Sequence, residues 1–522
     1  MAGTDWHGVC VGLSMTMPRL LAATLLLIAA TFTAIDPSPA AARVLRIGLA
    51  DDPDMLDPTL ARTYTGRIVF AAMCDKLVDI TPELDIAPQL ATEWQWVDGN
   101  KGLVLKLRQG VLFQDGEPLD AGAVKFSIER HLNMPGSNRK AEISAVSGVE
   151  IIDDHTVKLV LKAPFAPLLA ALSDRAGMIV SPKAAEAPGD FANHPVCAGP
   201  YKFVERVAQD RIVLERFADY WNKDAVKFDR IVFMPIPDST VRLANLQSGG
   251  LDMIERLAAT DLETARKDSR LKVATITGLG YQSLSINLNN GPRAQNPLGQ
   301  DPRVREALEL SLDRAALNEV VFNGLFQPGN QWVGPSNPFY VKSHPAPARD
   351  VVKAKQLLAA AGAPNPRVTL MMTTVPEMMR AAQVIQAMAA EAGFDIKIQA
   401  TESGAALQAS VDGQFELSLN GWSGRTDPDG NLYNFVSCKA PPALNVARYC
   451  NPTVDEELDA ARTAGDTASR LAHYAKVADR ILADRPLIYL WHPTWLFAMN
   501  AKIAGFEPYP DGLIRPQGMT MR

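Results

Sequence analysis

The sequence predicts an α/β protein of several domains, and three observations carry that prediction. The chain has 522 residues, which gives about three domains at roughly 100–200 residues per domain. Apolar residues make up 47% and charged residues 21%, a composition typical of folded soluble proteins and not of disordered chains or coiled coils. Between residues 367 and 422 strand and helix patterns alternate, which predicts a parallel sheet covered by helices.

The elements before residue 220 follow from apolar alternation and turn residues. Apolar residues alternate over 45–49 and 103–107, which predicts two half-buried strands. Asp120 is predicted to cap a helix that follows it. Two hairpins are expected, one turning at Asp153–Asp154 and one over 201–217.

The later elements are marked by caps and by one regular alternation. Asp301 is predicted to begin a helix with Pro302 as its first residue, and Asn323 to end the next one. The alternating region comprises strands at 368–372, 394–398 and 415–419 and helices at 377–392 and 405–411. The proline- and glycine-rich stretch 291–302 is interpreted as a crossover between two lobes.

A candidate ligand site follows from this order alone. Ligands of parallel sheets bind beyond the carboxyl ends of the strands, and the loops 373–376 and 421–425 are expected there. Trp422 is the first candidate binding residue, because a rigid aromatic wall is typical of solute pockets. The alternative is a tryptophan packed in the core.

The N-terminus resembles a secretory signal peptide. Arg19 precedes an apolar stretch at 20–35 that is shorter than the ~20 residues of a spanning helix, and small residues lead to a cleavage site after Ala42. The alternative is an uncleaved anchor. Cleavage predicts an exported, periplasmic protein.

Cysteine usage agrees with export. After residue 42 four cysteines remain, Cys74, Cys197, Cys438 and Cys450, and an even number in an oxidising compartment predicts two disulfides. Cys438 with Cys450 would close a short loop, which leaves Cys74 with Cys197. Three pairings are possible, and the sequence does not choose among them.

Charge and motifs exclude several classes of function. The net charge of −6 without a basic run argues against a nucleic-acid partner. The sequence carries no Gly-x-x-x-x-Gly-Lys-Ser/Thr loop, no His-Glu-x-x-His and no Gly-x-Ser-x-Gly, so we expect no cofactor, no metal and no enzyme.

Several segments in collinear order resemble a known family. The strongest is the run 107–118 (LRQGVLFQDGEP), which continues into 121–127. Others are Leu56-Asp57-Pro58, Gly199-Pro200-Tyr201, the segment 301–314 and Gly421-Trp422. Together they resemble the solute-binding proteins of ABC importers for peptides and nickel, bacterial extracellular family 5.

This resemblance implies a class II periplasmic binding protein-like fold, with two lobes, an extra inserted domain and a hinged cleft for the ligand. The implied division is a signal peptide at 1–42, lobe I at 43–80, 189–290 and 491–522, an inserted small domain at 81–188, and lobe II at 291–490. It further implies a monomer that delivers a small solute to an ABC permease.

The resemblance also bears on the ligand. In peptide-binding relatives an aspartate three residues after the tryptophan pairs with the amino group of the peptide, whereas here Arg425 stands at that position. A guanidinium favours a carboxylate over an ammonium. Asp427 could instead supply an acid, or belong to a plain turn.

Weaker candidates come from the same resemblance. Tyr281 begins a strand near which the family places an aromatic residue, although a packed tyrosine is an equal interpretation. Trp332 lies in a loop that resembles one facing the cleft, and Tyr64 and Arg175 are further candidates of this kind. The solute is predicted to be peptide-like or anionic; an oligosaccharide, a metal chelate, a secreted hydrolase or a protein-binding scaffold are the alternatives.

Overall fold

A computed structural model describes residues 42–189 and 191–522. All but the last residue of the predicted signal peptide lies outside these residues. The strands of the described chain are β1 (Val44–Leu49), β2 (Val78–Ile80), β3 (Ile86–Pro88), β4 (Ala91–Val97), β5 (Gly102–Leu107), β6 (Val146–Asp153), β7 (Thr156–Leu161), β8 (Tyr201–Val207), β9 (Arg211–Arg216), β10 (Arg230–Pro235), β11 (Met253–Ile254), β12 (Leu271–Thr277), β13 (Tyr281–Ile286), β14 (Gln327–Pro328), β15 (Arg367–Thr373), β16 (Asp395–Thr401), β17 (Leu417–Trp422), β18 (Leu487–His492), β19 (Thr494–Asn500), β20 (Ile503–Ala504) and β21 (Thr520–Met521).

The helices connect and cover these strands. They are α1 (Tyr64–Met73), α2 (Ala121–Asn133), α3 (Leu168–Leu172), α4 (Pro182–Glu186), α5 (Ser239–Ser248), α6 (Leu262–Lys267), α7 (Pro297–Gln300), α8 (Pro302–Ser311), α9 (Arg314–Phe322), α10 (Val351–Ala360), α11 (Pro376–Ala392), α12 (Ser403–Val411), α13 (Asp429–Val436), α14 (Pro452–Thr463) and α15 (Thr467–Asp484).

Three sheets organise the fold. Sheet 1 has the order β12-β19-β11-β1-β10-β9-β8, and sheet 2 the order β14-β18-β13-β17-β15-β16. The centre of sheet 1 is parallel, since β1 runs parallel to β10 and β11. Sheet 3 is the antiparallel order β4-β5-β7-β6, and α2 packs on it. One apolar core lies on sheet 1 and another on sheet 3, whereas the core of sheet 2 also takes in residues of sheet 1 such as Ile254 and Leu496.

The predicted elements are confirmed. Asp120 caps α2 by accepting from the backbone N–H of Ala123 at 2.9 Å, Asp301 caps α8, and Asn323 ends α9 in the left-handed conformation. The β-α-β-α-β region forms as expected: β15 runs parallel to β16 and to β17. The carboxyl ends of these strands therefore share one edge of sheet 2.

The chain passes between sheets 1 and 2 twice, at neighbouring points. β12 ends at Thr277 and β13 begins at Tyr281, while Pro493 alone separates β18 from β19. The N–H of Gly278 donates to the carbonyl of Pro493 at 2.8 Å. Residues 278–280 and Pro493, named here the crossover, are thus tied side by side.

The expected crossover at 291–302 was wrong. Those prolines begin helices instead, because Pro297 and Pro302 occupy the first turns of α7 and α8, where a missing N–H is harmless. The change of sheet uses glycines in a shorter link. The domain boundaries as a whole stay a prediction.

Two disulfides are present, and they show which of the three possible pairings forms. Cys74 bonds Cys197 and Cys438 bonds Cys450. The first joins segments 123 residues apart in sequence, and the second closes the loop between α13 and α14. Among the helices described, none has the length and apolar character needed to cross a membrane.

Candidate ligand-binding site

The loops at the carboxyl ends of the parallel strands of sheets 1 and 2 meet. The Ser239 hydroxyl, just after β10, donates to Glu377 at 3.2 Å at the start of α11. Arg67 on α1 donates to the hydroxyl of Ser423, just after β17, at 3.0 Å. These contacts close a cleft between sheet 1 and sheet 2 at the edge where parallel sheets bind ligands.

Trp422 and Arg425 project from this edge and are held by one side chain. Trp422 is the last residue of β17 and is half-buried. Its indole N–H donates to Asn431 Oδ1 at 3.0 Å, and the same oxygen accepts from the backbone N–H of Arg425 at 2.7 Å. The Arg425 guanidinium carbon lies 4.3 Å from the centroid of the Trp422 ring, within cation–π range.

A pocket lies beside these two residues. One wall comes from the segments around sheet 3, and the other from the end of β17, the loop after it and α13: Glu142, Pro167, Ala170 and Ala171 face Trp422, Arg425, Asp427, Asp429, Gly430 and Asn434. Its volume is about 30 Å³, room for one or two water molecules. A larger solute therefore requires the two walls to move apart.

Buried charges lie behind the Arg425 side of the pocket, and of these Arg425 and Glu142 line it. Arg425 Nε lies 2.9 Å from Asp174 Oδ2 and its Nη2 lies 3.8 Å from Glu142. Arg67 Nε donates to Asp174 at 3.2 Å, and Arg139 Nη1 donates to Glu142 at 2.6 Å. A carboxylate of the chain thus occupies the place that a carboxylate of a ligand would take on Arg425.

Burial and neighbouring charges shift the pKa values of this group. Burial lowers the pKa of Arg425 to about 10, against the opposing charge of Asp174. Burial alone would raise the pKa of Asp174, but Arg67, Arg425 and Arg175 together hold it well below its usual value. Asp174 is therefore ionised near neutral pH.

Asp427 and Asp429 have cationic partners of their own. Both oxygens of Asp427 accept from Arg470 at 2.7 Å. Asp429 accepts from Arg462 at 2.6 and 2.9 Å. Both carboxylates line the pocket, but each is already paired with its own arginine. Arg425 is the cationic side chain among the residues that line the pocket.

Tyr281 and Trp332 lie beneath the pocket wall. They are 2% and 0% exposed in one aromatic cluster. The Tyr281 hydroxyl donates to the carbonyl of Asn431 at 3.1 Å, and its ring lies 4.8 Å from that of Tyr489. Direct ligand contact by either residue stays a prediction, as it does for Trp422 and Arg425.

Sequence reasoning missed most of the charged group. Asp174, Arg67, Arg139 and Glu142 come from segments that share no motif, and only the fold brings them to the loop after β17. Of the weaker candidates, Arg175 lies in this group, 4.0 Å from Asp174. Tyr64 instead stacks on Trp495 at a centroid distance of 4.7 Å. Asn431 carried no signal, because asparagine also occurs in ordinary turns.

The described ranges 42–189 and 191–522 contain no group of three or more His, Cys, Asp or Glu side chains placed to hold a metal ion.

The fold and this cleft define a class of protein, the solute-binding proteins with lobes around a central cleft. Residues 85–442 match the model of the bacterial extracellular solute-binding proteins, family 5. The chain belongs to this family.

Comparisons with individual proteins agree. The glutathione-binding protein GsiB of Pectobacterium atrosepticum is 29% identical over 499 residues, which cover 93% of this chain and 91% of that protein. The structure of the periplasmic binding protein AgaA from A. tumefacien R10 with agropinic acid has a TM-score of 0.82 and 27% identity, over 92% of this chain and 99% of that one. DppA of Helicobacter pylori with the peptide STSA has a TM-score of 0.84 and 26% identity, over 92% and 98%.

Proposed function

We propose that this protein is the periplasmic receptor of an ABC importer and that its solute carries a carboxylate bound by Arg425. The observation that carries the proposal is the Arg425 side chain. It is 8% exposed and lines the pocket, and within the described chain its Nη2 has no hydrogen-bond partner. A buried guanidinium donor without a partner is costly, and a carboxylate oxygen of a solute would accept from it in a charge-assisted hydrogen bond.

Charge and relatives support the proposed solute class. The chain places arginine where an amino-binding aspartate is expected, and its acids Asp427 and Asp429 are already paired. Glutathione and agropinic acid, named for two relatives, are acids. The receptor is proposed to act as a monomer, to leave the solute chemically unchanged, and to deliver it to a membrane permease.

Thermal-shift screening tests this proposal. The panel contains glutathione, short peptides, dicarboxylic acids, sugars and nickel chelates. A solute at 100 times its Kd stabilises the chain by about 2.7 kcal/mol. Binding confined to sugars would point to an oligosaccharide receptor, and turnover of a panel member would favour a hydrolase.

Arg425→Ala is the matching variant. We expect it to weaken binding of the carboxylate solute about tenfold or more, since hydrogen bonds to charged groups contribute roughly 1.5–3 kcal/mol. Arg367→Ala is the control, because Arg367 lies on β15 of the same sheet with its side chain 90% exposed. Unchanged affinity of Arg425→Ala by titration calorimetry would refute the role of Arg425.

A further inference from the structure

The charged group beside the pocket is not electrically balanced. Arg67, Arg139, Arg175 and Arg425, named here the arginine cluster, are each at least nine-tenths buried. Within 4.0 Å of their nitrogens the described chain places two carboxylates, Asp174 and Glu142. The charge of Asp511, which is paired with Arg515, also acts on Arg67. Four guanidinium groups against two carboxylates leave an excess of two positive charges.

Neighbouring acids do not supply the missing charge, because each is matched by its own cation. Asp427 and Asp429 are held by Arg470 and Arg462. Further from the cluster, Asp57 forms an ion pair with Arg130. The two acids Asp79 and Asp511 are balanced by two cations, Lys76 and Arg515.

Hydrogen bonding shows the same deficit. Three buried guanidinium nitrogens of the cluster donate no hydrogen bond to any residue of the described ranges. They are Arg139 Nε, Arg175 Nε and Arg425 Nη2. Burial, and next the charge of Arg139, lower the pKa of Arg175 well below its usual value, against the opposing charge of Asp174. Buried donors in native proteins normally find acceptors.

We infer that the solute carries two carboxylate groups, which supply the two negative charges that the arginine cluster lacks. This inference rests on the proposed function and narrows its ligand class. One carboxylate meets Arg425, and the second compensates the charge of Arg139 and Arg175. A monocarboxylate would leave one of the four guanidinium groups uncompensated in a buried site, which costs free energy.

Matched ligand pairs test the inference on the purified chain. The probes are glutathione against its glycine amide, and N-acetylglutamate against N-acetylglutamine, since each pair differs by one carboxylate. Titration calorimetry should show the dicarboxylate binding at least about tenfold tighter than its monoamide. Equal affinities within the pairs would overturn the inference and leave the carboxylate receptor standing. If a neutral solute binds and neither glutathione nor N-acetylglutamate does, both the inference and the proposed function are overturned.

A receptor variant gives a second readout. Glu142→Gln raises the positive excess from two to three, so we expect several-fold tighter binding of the dicarboxylate and a lower unfolding midpoint of the free protein. Glu129→Gln, which alters an exposed pair with Lys125 on α2, is the control. A purely structural Glu142 would lower affinity and midpoint together, and that result would count against the inference.

Discussion

At the scale of single residues, Asn431 organises the candidate site. It is 1% exposed and holds the Trp422 ring through its Oδ1. The same side chain brackets Arg425, because its Oδ1 accepts from the Arg425 N–H and its Nδ2 donates to the Arg425 carbonyl at 3.2 Å. The two candidate binding side chains are thus positioned by a residue that does not itself line the pocket.

Asn431→Ala should weaken solute binding about tenfold and lower the free energy of unfolding by about 1–3 kcal/mol, because it leaves buried donors without an acceptor. Denaturant unfolding and titration calorimetry measure both effects. Asn365→Ala, in an exposed loop, is the control. Intact affinity in Asn431→Ala would show that Trp422 and Arg425 need no such support.

Asp75 predicts a pH dependence of stability. Burial raises its pKa to about 7, although Trp221 and Tyr220 donate hydrogen bonds to it. Between about pH 4 and pH 7 the folded chain therefore keeps a proton that the unfolded chain, with a pKa of about 3.9, releases. Stability contributed by Asp75 is present at low pH and is lost as the pH rises through 7.

Asp75→Asn, which cannot ionise, should flatten this dependence. Thermal midpoints at pH 5 and pH 8 should differ less in the variant than in the unaltered chain. Asp85→Asn, at an exposed loop position, is expected to keep the original difference. An unchanged difference in Asp75→Asn would mean that Asp75 is ionised across this range.

The sequence predicted part of the site. Trp422 and Arg425 could be placed because strand periodicity predicts where β17 ends and which residues form the loop after it. Asp174, Arg139 and Asn431 could not, since their roles depend on contacts between distant segments. No local pattern encodes which buried acid will meet which arginine.

At the scale of elements, the loop after β17 rests directly on the crossover. Gly424 has φ +86°, and a Cβ there would lie 2.3 Å from the backbone carbon of Leu279. A Cβ on Gly280 would lie 1.9 Å from the carbonyl oxygen of Trp422. Only glycine permits this approach, so the site loop and the link between the sheets are in backbone contact.

Gly424→Ala should displace the loop and so lower both stability and solute affinity. Gly362→Ala is a matched control, because Gly362 has φ +69° but no atom within 4 Å of the added Cβ. The control should lose only the roughly 1 kcal/mol of a strained backbone. Equal losses in both variants, measured by unfolding and calorimetry, would contradict the coupling of loop and crossover.

Element prediction succeeded where periodicity and caps agree. Strands such as β1 and helices such as α8 followed from alternation and from Asp301 as a cap. The crossover did not, because proline and glycine mark helix starts as readily as links between lobes. A three-residue link such as 278–280 is too short to leave a compositional signal.

At the scale of the whole molecule, the two disulfides differ in the length of chain that they enclose. Cys74–Cys197 spans 123 residues and Cys438–Cys450 spans 12. In the chain-entropy model they contribute about 5 and about 3 kcal/mol to the free energy of unfolding. The longer one restrains the join between sheet 1 and the segments around sheet 3.

The double variant Cys74→Ser/Cys197→Ser should therefore be destabilised more than Cys438→Ser/Cys450→Ser. Urea unfolding of both proteins under identical conditions measures the difference. The second pair serves as the control for loss of a disulfide as such. A larger loss of stability in Cys438→Ser/Cys450→Ser would show that native packing, and not chain entropy, sets the contribution of each disulfide.

Asp174 has a consequence for the selectivity between competing acids. Its Oδ2 already lies 2.9 Å from Arg425 Nε, so a solute carboxylate that binds Arg425 replaces one ion pair by another. We therefore expect differences in affinity between acids to come from the remainder of each molecule.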